Sequence, residues 1–356
     1  MIAARYTQGS GRFAVEEVPM PGVGPGELLL RVEATGICGS DVKIVRGGHR
    51  KLRDGQAITL GHEFVGTVEQ AGEEVSGFDL GDRVGVAPNI GCGKCPMCRR
   101  NLANMCGRYE AFGITFDGAH AEHVLVPAAA VEQGNVTRVP ASMPAGAACL
   151  AEPLSCAISG VRSARIEAGD AVVVYGAGPM GLLCMMQAVA RGASWVLAVD
   201  VDDRRLAAAA SLGAAATVNP ARAAVADAVA EHTSEQGADA VIIAAPAPAL
   251  QREALALLAP FGRLCLFASW PRDRAAVELD TNAVHCKNLL VTGMTGGCNA
   301  DYAAALELVA SGDVDPRRIV SHVFAMSELA RAYEVALSGE GLKVVVTADG
   351  EEAERR

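Results

Sequence analysis

Apolar positions along the chain fall into two regimes. Up to Val126 they come as short runs broken by Pro and Gly: Phe13-Ala14-Val15, Leu28 to Val32 after the Pro19 to Pro25 stretch, a strand-and-turn series from Leu60-Gly61-His62-Glu63-Phe64 to Gly81-Asp82-Arg83-Val84, then Gly113 to Val126. This is the pattern of short antiparallel strands joined by tight turns. Further on, uninterrupted apolar runs alternate with Ala-rich helical stretches. Val172-Val173-Val174-Tyr175 predicts a strand buried on both faces, as in a parallel sheet. Trp195 to Val199, Ala215 to Val218, Ala240 to Ala244, Gly262 to Phe267 and Asn288 to Thr292 predict five more, with helices at Leu182 to Arg191 and Arg204 to Leu212. Six strands complete a doubly wound sheet. Tyr302 to Ser311 and Ser327 to Leu337 predict helices and Leu342 to Thr347 a last strand, expected to pack back onto the first lobe. The charged tail, Asp349 to Arg356, is expected to fray.

Between the first two strands of the second regime the chain turns on glycine. Gly176-Ala177-Gly178-Pro179-Met180-Gly181 is a GxGxxG whose glycines allow the tight turn, the approach of a pyrophosphate and close packing of the next helix. The first amides of that helix point at the turn, so a phosphate would meet unpaired donors and the positive end of the dipole. Asp200 closes the second strand 19 residues past Gly181, where a carboxylate takes both hydroxyls of an adenine ribose and disfavours a 2′-phosphate. Arg204 and Arg205 soften that bias. A lone GxGxxG is weak; strand, turn, helix, strand and acid in register are strong.

The chain of 356 residues exceeds a single core, so two domains are expected. It has no long uncharged apolar run and no signal-peptide layout at Met1 to Tyr6, which points to a soluble, cytoplasmic protein without a membrane partner. A formal charge of -10 argues against nonspecific attraction to nucleic acid. Lys43 to Arg53, with Arg46, His49, Arg50 and Lys51, is a local exception. It reads as a solvated loop, with an anionic substrate group as the rival.

Eleven cysteines in a chain without an export signal point to thiols and metal ligands before disulfides. Cys92, Cys95, Cys98 and Cys106 have a CxxCxxC spacing followed after seven residues by the fourth, which can close four thiolates on a structural zinc. An iron-sulfur cluster of the bacterial ferredoxin type would need a shorter last gap and a following proline; disulfides or free thiols are further alternatives. Cys38, His62, Glu63 and Glu152 remain, each ordinary alone and all able to ligate zinc.

Together these residues resemble the zinc-dependent medium-chain alcohol dehydrogenases, and within them the sorbitol (polyol) dehydrogenase-like branch. The resemblance rests on Cys38-Gly39-Ser40-Asp41, Gly61-His62-Glu63, the four-Cys lobe, Glu152-Pro153-Leu154-Ser155 and the glycine turn, in that order, and covers nearly the whole chain. It implies an α/β protein with a GroES-like, mostly antiparallel β catalytic domain (1–155 and 298–356) and a doubly wound parallel-sheet Rossmann domain (156–297). It implies two zinc ions per chain: a structural one in the four-Cys lobe, and a catalytic one on Cys38, His62 and either Glu63 or Glu152. NAD would sit on Gly176, Gly178, Pro179, Met180, Gly181, Asp200 and Arg205. Zinc would activate a substrate hydroxyl and nicotinamide would take the hydride. Ser40 would start a proton relay, with His49 a weaker candidate for its outer end. Lys43 departs from the family, which often has His there. The expected substrate is a polyhydroxylated secondary alcohol, because a chain with 4% aromatic residues has little to line a large apolar pocket. L-Threonine 3-dehydrogenase-like and sugar-alcohol-phosphate dehydrogenase activities are alternatives, as are a zinc-free reductase and an inactive nucleotide sensor. Edge pairing through Asn288 to Thr292 and the Gly293 to Gly297 turn would make a homodimer or homotetramer.

Overall fold

The computed structural model describes residues 1–247, 249–270 and 276–350; the predicted frayed tail lies, beyond residue 350, outside them. By internal contacts the chain divides into two units: Met1–Ser155 with the chain from Gly297 onward, and Cys156–Gly296. Gly297 therefore falls in the first unit, one residue earlier than the sequence suggests.

The first unit is built on strands. Arg12–Glu17, Ile2–Thr7 and Ala57–Thr59 form a three-stranded sheet. A larger sheet runs in the order Val136–Arg138, Arg83–Val86, Glu63–Ala71, Leu28–Ile37, Lys343–Thr347 and Val320–Ala325, with His123–Val126 also paired to Leu28–Ile37. All these pairs are antiparallel except the last two strands of the order, which run parallel. Their inward side chains, among them Leu28, Leu30, Phe64, Val84 and Val346, form one core. The register places the chemistry. Gly36 lies opposite Glu63 on one side and Val345 on the other, so Cys38, Glu63 and Lys343 all emerge at one end of the central strands.

The second unit carries the parallel sheet. Its strands lie in the order Ala216–Val218, Trp195–Val199, Ala171–Tyr175, Ala238–Ile243, Leu258–Leu266 and Leu290–Gly293. The first three run outward in one direction from Ala171–Tyr175, and the reversal there makes the switch point of a doubly wound sheet. Every residue of Ala171–Tyr175 and Trp195–Val199 is buried, as their unbroken apolar runs require. Their register sets Tyr175 opposite Val199, so Gly176 and Asp200 leave the sheet side by side.

Several elements differ from the pattern-based reading. Gly39–Gly47 is helical, because Cys38 and Asp41 form a capping box that satisfies the first amides; it takes in the start of the basic stretch, while His49 to Arg53 lie outside it. Helices at Ala151–Ser163, Val225–Thr233, Leu250–Leu257 and Thr281–Cys286 were not predicted, and Val320–Ala325 is a strand although Ser321 and His322 interrupt its apolar run. No described helix is long and apolar enough to cross a membrane.

Phe261 is 71% exposed and held at φ +62°, where its amide donates to the Lys287 carbonyl at 2.7 Å. A bulky side chain is disfavoured in this left-handed region by about 1–2 kcal/mol. Phe261→Asn should therefore raise stability by about 1 kcal/mol, because Asn tolerates this backbone and little apolar contact is lost. Denaturant unfolding checks this; a lowered midpoint would show that the ring holds part of the fold.

Candidate functional site

The mixed-ligand site begins where Leu28–Ile37 ends. Cys38 caps the helix Gly39–Gly47, and Asp41 in its first turn is fully buried. One oxygen of Asp41 accepts the Cys38 amide at 2.9 Å; the other faces the Gly61 amide at 3.4 Å and His62 Nδ1 at 3.5 Å. A single carboxylate thus holds both the thiol-bearing and the imidazole-bearing segments. Burial would raise the Asp41 pKa, but His62, with the Cys38 amide, holds it well below the usual carboxylate range. Burial likewise opposes charge on His62, yet Asp41 and Cys38 push its pKa well above the ordinary value. An imidazole whose Nδ1 faces a carboxylate presents Nε2 to a metal in a fixed orientation.

The ligand atoms of Cys38, His62 and Glu63 all lie within 4.8 Å of one another. Glu63 is fully buried, and its Oε1 accepts from Lys343 Nζ at 2.7 Å. Its Oε2 meets the same ammonium as an ion contact and makes no hydrogen bond, and the carboxylate lies beside a thiol and an imidazole. That donor set fits a zinc ion. Lys343 also donates to the Ile37 carbonyl at 3.1 Å. Burial would lower its pKa, but the charges of Glu63, Cys38 and Glu152 raise it. Ser40 Oγ lies 3.5 Å from His62 Nε2. Glu152, buried in the first turn of Ala151–Ser163, is not in the set of mutually close ligand atoms.

The sequence reading missed Asp41, Lys343 and His120. Asp41 stood within the quoted Cys38 to Asp41 motif, three residues after the Cys, as a capping partner does. Lys343 is marked only as a lone cation at the head of a run of valines. Nothing local distinguishes His120. His49 Nδ1 accepts the Lys51 amide at 3.3 Å, and the His49 amide donates to Gln8 at 3.0 Å. In the basic stretch, Arg46 donates to the Leu337 carbonyl at 2.7 Å, and Lys51 sits 3.3 Å over the Tyr109 ring while donating to that residue's carbonyl. Two of the cations proposed to grip an anion are therefore already engaged.

The four thiols of Cys92, Cys95, Cys98 and Cys106 also lie within 4.8 Å of one another, and none is in a disulfide. Cys95 and Cys98 are 3.5 Å apart at sulfur, close to the edge of about 3.8 Å that a tetrahedron with Zn–S near 2.3 Å requires. The Lys94 amide, followed by Arg108, brings the Cys92 thiol down to about 5, while burial and Cys95 push Cys98 up to about 11. Gln133 donates to the Gly91 carbonyl at 3.1 Å, Asn135 to that of Asn89 at 2.9 Å, and Asn299 to that of Gln133 at 3.1 Å, which ties this lobe to the rest of its unit.

In the second unit Gly176 has φ +93°, and its amide donates to the Val199 carbonyl at 2.7 Å. A Cβ at Gly181 would lie 1.7 Å from the Gly176 carbonyl oxygen, whereas one at Gly178 would meet nothing within 4 Å. Helix Pro179–Ala190 starts with Gly178 as its cap and has no side-chain capping bond. Pro179 has no amide to pair, and Met180 follows it half-buried in the first turn. Open space before uncapped amides fits a pyrophosphate. Asp200 braces the glycine turn: its Oδ2 accepts the Ala177 amide at 2.8 Å and its Oδ1 the Asp202 amide at 2.9 Å. Arg205 stands 3.8 Å from Asp200, while Arg204 forks onto Asp202 at 2.8 Å.

Comparison with known proteins follows the same division. Residues 24–140 match the family model for the alcohol dehydrogenase GroES-like domain, and residues 179–311 that for zinc-binding dehydrogenases. The chain is 31% identical to sorbitol dehydrogenase of Halalkalibacterium halodurans over 95% of its length and 96% of that protein. It is 33% identical to L-threonine 3-dehydrogenase of Bacillus subtilis, over 97% and 98%. The solved structure of alcohol dehydrogenase TADH from Thermus sp. ATN1 superposes with a TM-score of 0.85 at 34% identity, covering 98% of this chain and 99% of that one.

The glycine turn yields a paired prediction. Gly181→Ala should lower the melting midpoint of the second unit, because the added carbon overlaps a carbonyl oxygen. Gly178→Ala should leave that midpoint in place yet weaken dinucleotide binding in calorimetry at least tenfold, about 1.4 kcal/mol. Unchanged affinity in Gly178→Ala would show that phosphate does not approach there.

Proposed function

The chain belongs to the zinc-dependent medium-chain alcohol dehydrogenase family, in its sorbitol (polyol) dehydrogenase-like part, and is an oxidoreductase; we propose that it oxidises a secondary alcohol of a polyol, sugar, cyclitol or amino derivative to the ketone, with NAD+ as acceptor. The observation that carries this reading is the trio of half-buried Cys38 and His62 with buried Glu63, oriented by Asp41, in a chain that also has the uncapped glycine turn and Asp200.

Cys38, His62 and a carboxylate from Glu63 or Glu152 would hold zinc, and the four-Cys lobe a second, structural ion. Bound zinc supplies Lewis acidity toward a substrate hydroxyl, and NAD+ supplies the acceptor for the hydride on the carbinol carbon. The protein atoms handle the proton. Ser40 Oγ, half-buried and beside His62 Nε2, accepts the hydroxyl proton while passing its own toward solvent. His62 keeps its ring plane because Asp41 faces Nδ1. Lys343 Nζ, bonded to Glu63, offsets the cost of placing a carboxylate in the interior. Asp200 favours NAD over NADP. A 2′-phosphate about 4 Å away would be repelled by roughly 4 kcal/mol per unit charge at an effective dielectric near 20, and Arg205 offsets part of this.

L-Threonine is the second candidate substrate, because the 33% identity to the Bacillus subtilis threonine enzyme is as extensive as the identity to the sorbitol enzyme. We place the protein in the cytoplasm as a homodimer or homotetramer, with Leu290–Gly293, the end strand of the parallel sheet, as the pairing edge.

A panel of polyols, cyclitols, their phosphates, threonine and simple alcohols, each offered with NAD+ or NADP+, tests the reading. Neutral polyols or cyclitols with NAD+ should give the highest kcat/KM. Threonine as the sole fast substrate would transfer the assignment, and inert polyols beside fast long-chain primary alcohols would overturn it. Metal analysis of the same preparation should find two zinc ions per chain, falling to one in Cys38→Ser with the fold retained.

A further inference from the structure

His120 and Tyr333 form a buried polar pair that the reaction does not use. They are 0% and 1% exposed, and His120 Nδ1 lies 2.5 Å from the Tyr333 hydroxyl. The other ring nitrogen, Nε2, lies 3.1 Å from the Gly36 carbonyl. A carbonyl can only accept, so Nε2 carries a hydrogen toward Gly36. Burial lowers the pKa of the ring and so favours the neutral form, in which Nδ1 accepts from Tyr333.

The placement of this pair gives it a role. Gly36 is two residues before Cys38. On its other flank His120 is bonded to the turn that leads into His62: its amide donates to the Leu60 carbonyl at 2.8 Å, and the Ala119 amide to that of Gly61 at 3.0 Å. The ring packs so tightly on this turn that a Cβ at Gly61, where φ is +97°, would lie 2.5 Å from His120 Cδ2. Tyr333, on the helix Leu329–Ser338, is seated against Phe13 with ring centroids 4.5 Å apart. His120 thus joins the segment before one ligand to the segment before the other, and Tyr333 fixes its tautomer.

We propose that His120 and Tyr333 are positioning residues of the metal centre, setting the separation of Cys38 from His62 and thereby the rate at which the metal leaves. The proposal rests on the reading of Cys38 and His62 as ligands. Loss of a supporting contact behind a metal ligand typically weakens binding by about 10–100-fold. His120→Phe keeps the ring and loses both bonds; Tyr333→Phe removes only the partner of Nδ1.

The test uses zinc-loaded full-length protein and release of zinc to 4-(2-pyridylazo)resorcinol. The phase missing in Cys38→Ser identifies this site. His120→Phe should accelerate that phase about tenfold and Tyr333→Phe by a smaller factor, with the four-Cys phase unchanged. The visible spectrum of the cobalt-substituted His120→Phe protein should shift as well, which a mere brace of the fold would not cause. Parental release rates and spectra in both variants, even with lowered melting midpoints, would overturn the proposal. If His120→Phe does not fold, Tyr333→Phe decides alone: a faster phase supports the role and a parental rate refutes it. A parent with no Cys38-dependent phase would refute the ligand reading and, with it, this proposal.

Discussion

A charge buried beneath the site organises it. Asp41 has no exposure to water, and an isolated carboxylate there would be costly. It is stable because the groups that surround it are those the site must hold in place: the Cys38 amide, the Gly61 amide and the His62 ring. The same residue starts the helix Gly39–Gly47 by completing its capping box, so helix formation and ligand placement share one interaction. Glu63 and Lys343 repeat the logic one layer away. Each is a buried ion made tolerable by the other, and strand register brings them together from positions 280 residues apart.

How much of this could be read from residue order depends on the range of the interactions. The parallel sheet was legible because its central strands, Ala171–Tyr175 and Trp195–Val199, are continuous apolar runs buried on both faces. The glycine turn and Asp200 were legible because turn, helix and acid lie within a single local unit. The four-Cys lobe was legible for the same reason, since its thiols are close in sequence. By contrast, Lys343 meets Glu63, and His120 meets Tyr333, across most of the chain. No local periodicity records such pairings. The helix at Gly39–Gly47 was hidden by its basic composition, although its capping residues stood in plain order.

The cofactor half carries a similar economy of parts. Both oxygens of Asp200, the residue proposed to meet a ribose, accept amides of the turn and of the segment behind it. Exchanging it to alter cofactor preference would therefore loosen the glycine turn. Gly176 and Gly181 are required by backbone contacts, whereas a Cβ at Gly178 would meet nothing within 4 Å, so any need for glycine there would come from what approaches from outside. Structural and functional glycines of one motif can thus be told apart by what a single added carbon would touch.

If Cys38 and His62 hold zinc, the Asp41 carboxylate makes that mixed-ligand centre by joining their two segments. Metal analysis of Asp41→Asn, which keeps shape and removes charge, addresses it most directly. The account predicts that the variant retains the four-thiolate zinc and the melting behaviour of the parallel-sheet unit while losing zinc from Cys38 and His62, together with turnover. Two zinc ions per chain and parental turnover in Asp41→Asn would contradict it.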